Sequence, residues 1–250
     1  MQPGVLVRTR QNRPMNAPTW RQLIISGGWA HPFDRTAPFL ADVLRPAGFE
    51  STIAHDVDEA AQLMADGPFD LVTVYGCWFG MADARYETVR SEWARSTPEA
   101  LRSGIDAHVA AGRGVLALHT APICFDDWPQ WSHIVGGAWN WQRSWHPQPD
   151  SMRVEPVGGH PIVHEIAPFD VFDERYTDLD VSPEVEVIAW TVSDDRQPAL
   201  WTHTVGTARV VYDSLGHDER SLGHDDHAVV LRRCTRWAMG ATDDAVRAIR

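Results

Sequence analysis

The chain has 250 residues, a formal charge of −12 and a hydrophobic fraction of 44%. That length suits one α/β domain or two small ones, and the apolar content is enough for a sizeable core. The acidic balance argues against nucleic acid as a partner, and no apolar run approaches a membrane span.

All 22 cationic side chains are arginines, which removes Schiff-base and P-loop lysine chemistry. Cys77, Cys124 and Cys234 are too few and too scattered for a disulfide framework or a cysteine zinc site. No apolar stretch precedes Leu23, so the start is not a secretory signal and a cytoplasmic setting is expected. Residues 1–18 are polar, proline-containing and without periodicity, and are expected to be a disordered or surface arm; Met15 is an alternative start. Residues 19–240 are expected to form a single α/β domain, with 241–250 a tail.

Arg21 to Ser26 reads as the first strand, followed by the loop Gly27-Gly28-Trp29-Ala30-His31-Pro32. Paired glycines there would let the backbone approach a ligand, but the pattern is not the dinucleotide fingerprint. Asp34 opens a helix through Leu44 that stops near Pro46 and Gly48. Ser51 to Ala54 is a short strand, Val57 to Ala65 a helix capped by Asp56, and Asp70 to Tyr75 a strand. This βαβαβ order is the doubly wound arrangement. Thr97-Pro98-Glu99 starts the next helix, which ends at Gly112, and residues 113–119 are an apolar run read as a strand buried on both faces.

Beyond this point Phe125 to Val135 reads as helical. Trp128, Trp131, Trp139, Trp141 and Trp145 fall within eighteen positions of one another. Met152 to Val157, Glu186 to Thr191, Ala199 to His203 and Arg209 to Ser214 read as further strands, and Phe169 to Tyr176 contains Asp173-Glu174-Arg175-Tyr176. Ser221 to Met239 closes the domain as a helix.

In open parallel sheets ligands bind beyond the carboxyl ends of the strands. His31, His119 and His217 follow predicted strands and His146 lies in a loop. Such a set is an acid/base or metal site if it converges, and otherwise a scatter of structural imidazoles. His160 and His164 are read as structural, because Pro161 follows the first and no glutamate of a zinc-protease helix lies between them. The loop with Trp139, Trp141, Trp145, Gln142, Arg143 and His146 is either packing or a platform for the apolar face of a sugar ring.

Eight short motifs in one order carry a family resemblance: Gly114 to Thr120, Val135-Gly136-Gly137, His146-Pro147, His160-Pro161-Ile162, Asp173-Glu174-x-Tyr176, Pro198 to Trp201, Arg209 to Tyr212 and Leu215 to Asp218. Across residues 21 to 240 the chain resembles the ThuA-like, or trehalose-utilisation, family. One turn, Gly206-Thr207-Ala208-Arg209, departs slightly from the family's Gly-x-Gly-Arg.

The resemblance implies a flavodoxin-like α/β fold, related to class I glutamine amidotransferases, with a mostly parallel sheet, helices on both faces and additional C-terminal strands. It also implies metabolism of trehalose and related disaccharides through 3-keto sugars. The amidotransferase nucleophile does not carry over, because the strand ends in His119-Thr120-Ala121-Pro122 without a cysteine elbow. The expected enzyme is a hydrolase or lyase acting on an oxidised glycoside. In it His119 or His217 acts as base, Asp173 and Glu174 orient a histidine or hold hydroxyls, and Arg143 or a divalent cation such as zinc steadies the enolate.

Gly28, His31, Trp139, Trp141, Arg143, Trp145 and Tyr176 are the expected sugar contacts, and His119, His146 and His217 the expected metal ligands. A non-catalytic sugar-binding module and a hydrolase using Cys77 are the alternatives. The aromatic load suits a homodimer surface or the pocket itself.

Overall fold

In the computed structural model, which describes residues 19–250, the elements follow in order. They are β1 (Trp20–Gly28), α1 (Phe33–Leu44), β2 (Phe49–Ala54), α2 (Val57–Asp66), β3 (Leu71–Cys77), α3 (Arg90–Trp93), α4 (Glu99–Ala110), β4 (Gly114–Leu118) and α5 (Pro129–Val135). Then come β5 (Gly137–Ala138), β6 (Asp150–Pro156), β7 (Phe169–Asp173), β8 (Asp180–Val181), β9 (Glu186–Val192), β10 (Arg196–Val205), β11 (Ala208–Asp213), α6 (Glu219–Leu222), α7 (Asp225–Ala238) and α8 (Asp243–Arg247). The arm expected at 1–18 lies outside the described residues.

Nine strands form one sheet in the order β2-β1-β3-β4-β11-β10-β9-β6-β7. The first five are parallel and the remaining pairings antiparallel, so the α/β fold with added C-terminal strands is the one expected. β3 and β4 are buried along their whole length, as strands covered on both faces must be. α1 and α7 pack on each other and on the parallel strands, and α2 and α4 form a second packed pair.

β1 lies between β2 and β3, so the winding reverses beside it and opens a crevice at its carboxyl end. The register aligns these ends: Gly28 pairs with Cys77 and Asp213 with Leu118. Gly28 (φ +105°) sits so close that a Cβ there would lie 2.3 Å from the Cys77 carbonyl oxygen. Its role is therefore close strand packing, and it is not among the residues that line the pocket described below.

The antiparallel half curls. Four inter-strand steps separate β11 from β7, which in a flat sheet would be roughly 19 Å. Yet Asp173, at the end of β7, accepts a hydrogen bond from the Gly216 amide at 2.7 Å. Register shifts around Pro198, Leu200 and Trp201, where β10 meets β9, mark where the ladder bends.

Several local readings change. Phe125 to Trp128 is turn rather than helix, and α5 begins only at Pro129, a residue suited to a first helical turn. The closing helix is two pieces, broken at Gly223. Residues 241–250 are not a simple tail: α8 buries Val246, and the buried Arg233 guanidinium donates to the carbonyls of Arg247 and Ile249. No helix of the described residues is long and apolar enough to cross a membrane.

Candidate active site

His119 is the first residue beyond β4 and is fully buried with a left-handed backbone (φ +50°). A non-glycine residue there costs about 1–3 kcal/mol, so its surroundings must hold it. Its amide donates to Asp213 O (2.7 Å), its carbonyl accepts from the Tyr212 hydroxyl (2.9 Å), and Nδ1 lies 2.8 Å from Ser214 O. That last contact puts the ring proton on Nδ1 and leaves Nε2 with a lone pair. His31 follows β1 on a loop whose Ala30 is also left-handed (φ +65°). Its Nδ1 lies 3.1 Å from Trp29 O, so its Nε2 is likewise the free acceptor.

These two Nε2 atoms face each other at 3.1 Å. Glu174 Oε2 lies 3.4 Å from His119 Nε2 and 3.6 Å from His31 Nε2. The other carboxylate oxygen lies 3.4 Å from His217 Nδ1 and 3.6 Å from His146 Nδ1. Lone pairs pointed at one another repel, so only a proton or a cation can sit between them. Glu174 Oε2 and His217 Nδ1 are buried without a hydrogen-bond partner among the described residues. Ligands about 2.0–2.2 Å from a tetrahedral cation are roughly 3.3–3.6 Å apart, close to the spacings seen here. The ligand atoms of His31, His119, Glu174 and His217 all lie within 4.8 Å of one another.

The electrostatics follow. Burial alone would raise the Glu174 carboxyl, but His119, His217 and His31 together hold it well below the usual carboxylate range. Burial pushes His31 down, reinforced by the charge of His119 and only partly offset by Glu174. For His119 burial also pushes down, yet Glu174 and the charge of Asp173 outweigh it and the ring is raised.

Asp173 does not face the pocket. Its carboxylate accepts from the amides of Glu174 (2.7 Å), Gly216 (2.7 Å) and His217 (3.2 Å), which fixes the loop after β11 relative to Glu174. Tyr75 steadies the same loop through a 2.6 Å bond to Gly216 O.

Beneath it, His227 places Nε2 at 3.0 Å from Asp213 Oδ2 and Nδ1 at 2.8 Å from Ser221 O. Both ring nitrogens therefore donate, and although burial opposes it, Asp213 raises the ring above its ordinary range. A raised folded-state value gives stability that is complete below about pH 6.5 and lost as pH rises through the folded value. Asp213→Asn is expected to cost about 3–5 kcal/mol near pH 6, the range for a broken buried pair. The deficit should shrink at alkaline pH, as read from urea unfolding across pH.

Beside the cluster is a pocket of about 240 Å³ whose walls include Trp29, Tyr86, Trp139, Trp141, Trp145 and Tyr176. The Tyr176 ring stacks on His119 (4.9 Å) and its buried hydroxyl has no hydrogen-bond partner among the described residues. Trp145 is half exposed at the mouth. Of the residues expected from sequence, the structure brings His31, His119, His146, His217, Glu174, Trp139, Trp141, Trp145 and Tyr176 together. Arg143 instead pairs with Asp180 on the rim of a wider, more open depression with His133 and His203. Cys77 lines the pocket, but burial pushes its thiol far up, and no imidazole bonds it among the described residues. Arg85 and Tyr86, on the pocket wall, carried no sequence signal.

Comparisons with known proteins agree with this architecture. The family model described as ThuA, trehalose utilisation, matches residues 21–238. Among solved structures, a ThuA-like protein of Parabacteroides merdae superposes with a TM-score of 0.71 at 18% identity, covering 90% of this chain and 91% of its own. One of Bacteroides uniformis gives 0.64 at 16% identity, covering 92% and 95%. A cytoplasmic protein of Salmonella typhimurium LT2 gives 0.63 at 13% identity, covering 87% and 99%. At these identities the likeness concerns the fold. A search of curated proteins found no match.

Proposed function

Because the chain belongs to the ThuA, or trehalose utilisation, family, we propose that it is a divalent-cation enzyme that hydrolyses or eliminates an oxidised (3-keto) glycoside. One observation carries this reading: two imidazole lone pairs held 3.1 Å apart beside a buried carboxylate. His31, His119, His217 and Glu174 would hold the cation. Three imidazoles and one carboxylate are a donor set suited to zinc or a neighbouring first-row metal. When bound, the cation polarises the ketone oxygen and stabilises the charge that develops there.

The chain's own residues supply the rest. A 3-ketone acidifies the C2 proton, so a base of modest strength can remove it. His146 is suited to that step, because its Nδ1 lies 3.0 Å from Pro147 O and Nε2 remains free as an acceptor. Its ring is partly exposed at the pocket mouth and braced by Tyr176 and Trp139. As the enolate collapses to an enone the C1–O bond breaks, the departing sugar oxygen takes the proton that His146 removed from C2, and water then adds across the C1–C2 double bond. Trp139 and Trp141 offer flat faces for the apolar side of the sugar ring, with Tyr176 packed behind them. His119 and His217, considered from sequence as bases, become ligands in this scheme.

Elemental analysis of the purified protein is expected to give about one zinc or similar divalent ion per chain. Chelation is expected to abolish turnover of a 3-keto disaccharide, and re-addition to restore it. Full turnover by metal-stripped protein would overturn the proposal.

A further inference from the structure

A second pocket, also of about 240 Å³, adjoins the first and shares Ile123, Trp139 and Trp141 with it. Its own walls are Phe125, Trp128 and Trp131, with Asp126 at the rim. Each cavity falls below the roughly 300–1,000 Å³ typical of drug-sized ligands, so each is sized for one ring.

The indole nitrogens separate into two groups. Trp78, Trp131 and Trp201 donate to Ser26 O, Ala121 O and Val135 O at 2.8–2.9 Å, as buried indoles should. The N–H groups of Trp128, Trp139 and Trp141 have no bond within the described residues, yet none is a sealed, unsatisfied atom. All three rings line this second pocket. Asp126 adds an acceptor: Oδ1 receives the Gly80 amide at 2.8 Å, while Oδ2 has neither hydrogen bond nor ion pair among the described residues. Flat apolar faces with open N–H donors and one free carboxylate oxygen match a ring that is apolar across its faces and hydroxylated around its edge.

We propose that this second pocket is the subsite for the second ring of a two-ring substrate, the molecule sitting astride the Trp139–Trp141 partition with its reacting ring beside the histidine cluster. Trp128 and Asp126 are then specificity residues: they bind the departing sugar and leave the reacting ring untouched. This rests on the reading above for which ring reacts, but binding tests it without chemistry.

The experiment measures binding of trehalose and of glucose by calorimetry, to wild-type protein and to Asp126→Asn with Trp128→Phe. Asn keeps the oxygen that receives the Gly80 amide, and Phe keeps the aromatic face, so the fold is preserved. Wild type is expected to prefer trehalose over glucose. The double variant is expected to lose about tenfold in trehalose affinity, in the range of one or two hydrogen bonds, with glucose unchanged. Equal binding of both sugars by wild type, or a trehalose preference that survives both substitutions, overturns the second subsite. Turnover of a methyl 3-keto-glucoside, which has a single ring, is measured alongside. Its absence from wild type, with the trehalose preference intact, overturns the catalytic reading alone. Failure to bind either sugar overturns the second subsite and leaves the catalytic reading to the turnover measurement.

Discussion

Glu174→Gln is expected to empty the cation site and to lower turnover of a 3-keto disaccharide by more than about 100-fold. Loss of a group that merely orients a metal ligand costs roughly 10–100-fold, so loss of the one anionic ligand is expected to exceed that. The carboxylate faces four imidazoles within 3.6 Å, and it is the one carboxylate in the set of converging ligand atoms. Glutamine has nearly the same shape, so the Asp173 bonds that hold the neighbouring loop remain, and circular dichroism should report a folded chain. Elemental analysis and steady-state rates give the readout. A variant that keeps both metal and turnover would remove Glu174 from the centre.

The second large effect separates holding the cation from moving the proton. His146→Gln is expected to reduce kcat by about 10²–10⁴-fold, the range for a positioned general base, while metal content stays at the wild-type level. His146 meets the cluster only through the outer oxygen of Glu174, at 3.6 Å, and lies outside the set whose ligand atoms all fall within 4.8 Å. Loss of metal from this variant would reassign His146 as a ligand. Unchanged kcat would take the proton step away from it.

The parallel half of the fold was legible because buried strands announce themselves. Leu71 to Cys77 and Gly114 to Leu118 are apolar runs closed by glycine or a polar residue, and both are buried throughout. His119 was legible for the same reason, since a histidine ending such a run sits at the sheet's carboxyl edge. The glutamate at the end of β7 was harder. Its position depends on the curl of the antiparallel strands, which comes from register shifts that no periodicity encodes.

Arg143 was misplaced because proximity in sequence to Trp141 and Trp145 says nothing of direction. The chain turns between them, with Asn140 and Arg143 both tied to Asp180. Sequence alone does not bring His31 to the cluster, because its Nε2 is freed toward His119 only by the local contact of Nδ1 with Trp29 O. The short β5 and β8 escape notice because two residues are too few for any period.

In the proposed centre, the bend in the long sheet would make curvature a determinant of metal affinity. Three donors ride on the flat parallel half, while the fourth arrives from the opposite margin like the thumb of a hand. A substitution at the β9–β10 crossing that straightens the bend would draw the thumb away from the fingers. Such a change would weaken ion capture from a place far outside the pocket, with every donor residue still present in the chain.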